Sequence, residues 1–132
     1  MKNILILGAS GSIGNFIYNN FKKDINYDVI GTSSKESDIF LFVNNDNLEK
    51  LLELNNLDII VWCQGYNFND NIFNFNEDEY LKIMNINVLF IIKTLNYLLS
   101  NNKVNENCKM VIISSIWEKF ARNNKLSLFT NK

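Results

Sequence analysis

The sequence contains no His, no Pro and only two Cys, Cys63 and Cys108, in 132 residues. Without His the chain lacks the commonest general base near neutral pH and the commonest metal ligand. Two Cys with no His beside them cannot complete a zinc site. Triads that depend on His, zinc hydrolases and His-ligated haem proteins are therefore excluded, and no metal site is expected. An excess of one charge is also lacking. Thirteen basic residues stand against 14 acidic ones, a net of −1, so nothing points to nucleic acid as a partner. Apolar runs such as Ile4 to Leu7 and Val88 to Ile92 fall far short of the ~20 residues that cross a bilayer, so no membrane partner is expected. The N-terminus has no signal-peptide pattern, and few thiols with no export signal predict a cytoplasmic protein.

What is abundant is Asn, at 25 residues. A coding bias toward AT-rich codons explains this better than a prion-like tract, because the Asn are interleaved with regular apolar spacing. Apolar residues make up 47% of the chain, and no repeat or Gly/Ser linker divides it. Residues 1–132 are thus expected to form a single domain with a core of its own.

Ile4-Leu5-Ile6-Leu7, closed by Gly8, reads as a strand buried on both faces. From Ser12 to Lys23, Ile13, Phe16, Ile17 and Phe21 recur at helical spacing. Tyr27 to Thr32 and Ile39 to Val43 read as strands. Asn47 to Leu54 predicts a helix with Leu48, Leu51 and Leu52 on one face and Asp46 as its cap. Leu57 to Cys63 is a further buried strand, and residues 66–76 a polar, aromatic loop. A long helix is predicted from about Glu77 to Leu99, acidic in its first turn as the helix dipole prefers. Lys109 to Ser114 is the last clear strand. This alternation implies an α/β, Rossmann-type, doubly wound fold with a mostly parallel sheet of about five strands.

Gly8-Ala9-Ser10-Gly11-Ser12-Ile13-Gly14 lies where the first strand meets the first helix, the context of a dinucleotide-binding loop. Gly8 permits the tight turn, Gly11 lets the backbone approach a pyrophosphate, and Gly14 lets the helix pack on the strand. Together with Ser10, the free N–H groups near Ser12 and Ile13 would face the phosphates, with the helix dipole behind them. The second strand ends in Thr32-Ser33-Ser34-Lys35, with no acid before Glu36. An acid there would bind a ribose 2′-hydroxyl. Hydroxyls and an ammonium suit a 2′-phosphate, so NADP(H) is expected over NAD(H).

With these motifs in place, the sequence resembles the short-chain dehydrogenase/reductase family. The loop GASGSIG resembles that family's cofactor loop, with the G-x-x-G-x-x-G spacing of its extended members. Cys63-Gln64-Gly65 is similar to its Asn-Asn-Ala-Gly stretch, which flanks the cofactor, and matches it at Gly65. Met84 to Phe90 resembles the segment with an Asn that supports a proton relay, here Asn87. Val111 to Ser115 resembles the strand that ends in the catalytic Ser, here Ser115. The resemblance runs through the whole chain and implies hydride transfer between a nicotinamide cofactor and a small carbonyl or alcohol substrate.

It also implies a Tyr and, four residues later, a Lys that lowers the Tyr pKa and holds the nicotinamide ribose. Lys132 occupies the Lys position, but Leu128, 13 residues after Ser115, stands where the Tyr belongs. Leu has no proton to give. The family pattern continues beyond this point with further elements, so a shortened member is expected, its sheet incomplete on the C-terminal side. The fifth strand would then be an exposed edge, open to pairing in a homo-oligomer. Three readings stay open: an oxidoreductase, a non-catalytic dinucleotide-binding module, and an inactive truncated product.

Overall fold

A computed structural model describes residues 1–35, 37–41, 47–115 and 124–127. Within them the chain runs β1 (Lys2–Leu7), α1 (Ser12–Lys22), β2 (Tyr27–Ser33), β3 (Ile39–Phe40), a 3₁₀ segment (Leu48–Glu53) and β4 (Leu57–Trp62). It continues with α2 (Glu77–Met84), a π turn (Asn85–Leu89), α3 (Phe90–Ser100) and β5 (Val104–Ile112). The strands form one sheet in the order β3-β2-β1-β4-β5, and every pairing is parallel. This is the doubly wound α/β arrangement that the order of elements predicts.

Side-chain alternation along the central strands supplies two cores. Ile4 and Ile6 of β1 face one side with Val29 and Val61, where Ile17, Tyr18 and Phe21 of α1 cover them. Leu5 and Leu7 face the other side with Ile60 and Trp62, under Leu51, Phe90 and Leu98. Each such aliphatic side chain, once fully buried, contributes about 1.5–3 kcal/mol. A buried hydrogen bond from Trp62 Nε1 to Thr94 Oγ1 (2.9 Å) fixes α3 on the sheet.

Several elements depart from the expected pattern. On α1 the face toward the sheet is Gly14, Ile17, Tyr18 and Phe21, while Phe16 is 70% exposed and Ile13 also faces solvent. Gly14 brings the helix axis close to the loop and so selects the stripe at i, i+3, i+4 and i+7. The segment after residue 47 is 3₁₀ rather than α. Three residues per turn align Leu48, Leu51 and Leu54, which turns Leu52 outward. Its proposed cap, Asp46, lies outside the described residues, as does the end of the third strand at Val43.

β5 begins at Val104 rather than Lys109. Its register on β4 shifts between Leu57↔Val104 and Ile59↔Lys109, and Asn105 Nδ2 donates to Asp58 Oδ1 (2.8 Å) across the irregularity. At the other end of β5, Met110, Val111 and Ile112 are 43–52% exposed, and β4 is the only strand paired with it among the described residues.

The helical stretch Glu77–Ser100 is long and apolar enough by composition to cross a bilayer, which run lengths alone did not register. One stripe of it, Ile83, Asn87, Phe90, Thr94 and Leu98, is buried, and within that stripe Phe90, Thr94 and Leu98 pack against the sheet. Of residues 117–132 only 124–127 are described, and they dock on the loop of residues 66–76. Asp70 N–H donates to the Asn124 carbonyl (3.0 Å), Lys125 Nζ reaches Asn67 and Asn69, and buried Ser127 donates to the Asp70 carboxylate through both its N–H and its hydroxyl.

Candidate functional site

After β1 the chain winds through β2 and β3 on one side, then returns to β4 and β5 on the other. The carboxyl ends of β1 and β4 therefore flank the switch point, where open α/β sheets form their ligand crevice. A cleft of about 250 Å³ opens there. Gly8, Ser10 and Gly11 border it from β1, Thr32, Ser33 and Ser34 from β2, and Gln64 and Gly65 from β4. Ile86 and Phe90 form an apolar wall.

The glycines of this region differ in what holds them. Gly8 has φ +84°, and a Cβ there would lie 2.5 Å from the Gln64 nitrogen. A Cβ on Gly14 would lie 2.1 Å from the Gly8 carbonyl oxygen. The chain's own packing demands both residues. Among the described residues, a Cβ on Gly11 would meet only the Gly8 oxygen at 3.6 Å, and one on Gly65 only Asn87 Oδ1 at 3.7 Å, both ordinary contacts. The packing of the described residues does not require these two glycines, and both border the cleft. Their missing side chains leave room for something that the chain itself does not supply.

The loop is pinned by backbone. Gly8 and Ala9 N–H groups both donate to the Thr32 carbonyl (2.9 and 3.0 Å). The Ser33 hydroxyl, buried, donates to Ser10 Oγ (2.6 Å) and accepts the Lys35 N–H (2.9 Å). Ser34 and the Lys35 side chain are exposed at the strand end. Helix α1 starts behind Gly11, which offers no side-chain cap, and its first turn holds no acid. Ser12 and Ile13 are exposed in that turn. An uncapped helix start with an open approach suits an anion such as a phosphate.

Asn87 sits buried in the π turn and clips the loop after β4. Its Oδ1 accepts the Tyr66 N–H (2.8 Å) and its Nδ2 donates to the Tyr66 carbonyl (3.0 Å). Ser115 follows β5 by three residues and is half-buried. Lys132 and Leu128 lie outside the described residues.

Gln64 and Cys63 at the cleft, and Asp38 beside it, have side-chain environments that the sequence does not give. Gln64 belongs to the Cys63-Gln64-Gly65 motif, yet its side chain only acquires meaning from burial. Its Nε2 donates to the Ile86 carbonyl (3.3 Å), while its Oε1 is buried with no hydrogen-bond partner among the described residues. Cys63 borders the cleft half-buried, and burial pushes its thiol up, so it stays protonated at neutral pH. Asp38 folds back on β2, where one oxygen accepts the Gly31 N–H (2.8 Å) and the other the Tyr18 hydroxyl (3.2 Å). Burial first, then this bond, raises the Tyr18 pKa. Because β3 is short, Asp38 takes a β2 donor that a longer strand would have paired.

No family model matches the sequence, and no curated protein does. Solved structures do match. A short-chain dehydrogenase family protein from Francisella tularensis is 20% identical with a TM-score of 0.89, covering 100% of this chain and 58% of that one. The aldohexose dehydrogenase of Thermoplasma acidophilum is 20% identical with a TM-score of 0.86, covering 98% and 55%. ElxO, solved with NADP bound, is 21% identical with a TM-score of 0.81, covering 98% and 62%. The chain has the fold of short-chain dehydrogenase/reductase structures and spans less than two-thirds of the length of these three.

Proposed function

We propose that the cleft binds a nicotinamide dinucleotide, NADP(H) in preference to NAD(H). The chain is read as an oxidoreductase of the short-chain dehydrogenase/reductase kind, acting on a small carbonyl or alcohol in the cytoplasm. The observation that carries this is the pair Gly11 and Gly65. Neither is required by the packing of the described residues, and together they leave both lips of a switch-point cleft without side chains. The NADP-bound ElxO, of the same fold, supports the choice of ligand class.

A bound nicotinamide would give hydride to a carbonyl when reduced, or take it from an alcohol when oxidised. The chain's part is to hold and orient. Gly11 and the first-turn N–H groups at Ser12 and Ile13 take the pyrophosphate, because the helix dipole favours negative charge there. Ser34 and Lys35 supply the hydroxyl and ammonium for a 2′-phosphate. Ser33, engaged with Ser10, keeps the two binding segments in register. Asn87 holds the Gly65–Tyr66 backbone at the lip of the cleft, where it would border the cofactor. Ser115 orients the substrate oxygen, and Lys132 is assigned the ribose.

Leu128 favours a second reading. An alkyl side chain cannot pass the proton that must accompany hydride at a carbonyl oxygen, so the chain would bind a dinucleotide without turning it over. Titration of NADPH and NADH by fluorescence, followed by turnover assays on a panel of aldehydes and ketones, separates the two. Binding with turnover supports the oxidoreductase, binding alone the non-catalytic module. No binding of either cofactor removes both readings.

A further inference from the structure

Asp70 and Lys125 are partners in a single parallel bridge, yet their opposite charges do not pair. Both Asp70 oxygens accept from Ser127, one from its N–H (3.0 Å) and one from its hydroxyl. The Lys125 ammonium turns instead to two side-chain oxygens, Asn67 Oδ1 at 2.9 Å and Asn69 Oδ1 at 2.6 Å. Neutral amides fix the position of a charge without cancelling it. No carboxylate pairs with Lys125 among the described residues, and one of its three donors is left over. A lysine near the surface is normally loose, because an exposed contact rarely offsets the entropy of ordering it. Here the chain holds the ammonium in place and turns the available carboxylate away from it.

The place of this charge in the fold limits what it can meet. Asn67 lies two residues beyond Gly65 on the cleft, at most about 7 Å along the chain. The proposed pyrophosphate cradle is at the end of β1, and Ser34 and Lys35 follow β2. In the sheet β2 and β5 are three strands apart, on the order of 14 Å. A dinucleotide laid along that order carries its reactive end toward β4 and β5, where Ser115 is assigned the substrate oxygen. We propose that Lys125 is a substrate-binding residue that recognises a carboxylate, so that the substrate is a keto acid or the matching hydroxy acid. The inference rests on the oxidoreductase reading above and deepens it by naming the substrate class. One ammonium matches the single charge of a carboxylate, whereas a phosphate ester would call for a second cation. Lys82, also on this loop, is engaged over the Tyr66 ring, 4.2 Å from its centroid.

Binding needs no proton donor, so Leu128 does not obscure the test. With oxidised NADP present, which cannot reduce a ketone, α-ketohexanoate and its uncharged methyl ester are titrated by ligand-detected NMR. The unaltered protein should bind the acid at least about tenfold more tightly than the ester. Lys125→Met, similar in length but without charge, should erase that preference by weakening the acid alone. Lys125→Arg should keep it, and NADPH affinity should hold in both variants, which also reports that they are folded. Equal affinity of the unaltered protein for acid and ester would overturn the assignment, as would failure to bind either. So would a Lys125→Met variant that keeps the preference, or that weakens both probes alike, since the lysine would then only brace the loop. Where NADPH still binds, each of these results leaves the dinucleotide reading intact. If NADPH does not bind the unaltered protein at all, both inferences fall together.

Discussion

Helix α2 starts behind Asn76, whose side chain accepts the Glu79 N–H at 3.1 Å, and carries Glu77, Asp78 and Glu79 in its first turn. Helix α1 starts behind Gly11, with no side-chain acceptor and no acid in its first turn. The first terminus answers its own orphan donors and its own dipole. The second leaves roughly half a positive charge at the mouth of a cleft. The contrast shows where a ligand is expected: at the helix start whose neutralising group the chain withholds.

The comparison breaks most severely at Gly14. In Gly14→Ala the new methyl would press at 2.1 Å on the Gly8 carbonyl oxygen, a backbone atom with little freedom to yield. Overpacking of this kind costs about 1–3 kcal/mol or more. It should appear as a lower urea midpoint with an unchanged slope. An unchanged midpoint would mean that α1 is not seated on the loop as described.

Next comes conversion of one terminus into the other. Gly11→Asp has room for its Cβ and gives α1 the acceptor and charge that α2 already owns. NADPH affinity should fall at least about tenfold, equal to about 1.4 kcal/mol. The melting temperature should hold or rise slightly, because Asp caps a helix at least as well as Gly. The reciprocal change, Asn76→Ala, should cost about 0.5–2 kcal/mol of stability and leave NADPH affinity unaltered. If Asn76→Ala weakens NADPH as much as Gly11→Asp does, the two termini are not independent and the contrast loses its meaning.

The smallest effect is chemical. Burial raises the Cys63 thiol pKa, while burial and the nearby Asp58 charge raise that of Cys108. Both should alkylate slowly at pH 7, with rates that climb only above the ordinary thiol range, because the thiolate is the nucleophile. Saturating NADPH should slow Cys63, which borders the cleft, and spare Cys108, as peptide mass spectrometry can follow. Equal protection of both would place the cofactor's influence elsewhere.

The glycine loop and the central strands were legible because their signals are local. Ile4 to Leu7 are buried on both faces, and a glycine turn follows them, as continuous apolar runs and tight turns require. The π turn was not legible. Apolar spacing runs unbroken from Glu77 to Ser100, and the turn takes its hydrogen-bond partners from Gln64 and Tyr66, some twenty residues earlier in the chain. The buried face of α1 is half legible: Ile17 and Phe21 lie on it, and Ile13 and Phe16 do not. Ile13 and Phe16 satisfy helical periodicity, but the sheet accepts the stripe that the side-chain-free Gly14 brings closest. The first half of β5 was hidden because Asn105, Glu106 and Asn107 do not read as strand, although Asn105 is held by Asp58 on the neighbouring strand.

The double acceptor at the Thr32 carbonyl has a consequence for how this chain can vary. A main-chain oxygen, not a hydroxyl, holds Gly8 and Ala9. Exchange of the Thr32 side chain for another of similar volume, such as Val, leaves that oxygen in place. The shape of the loop is therefore buffered against mutation at its own anchor, and a library randomised at position 32 should lose members through poor packing of the buried side chain rather than through loss of the cradle. A ligand site anchored in this way persists while the side chains around it drift.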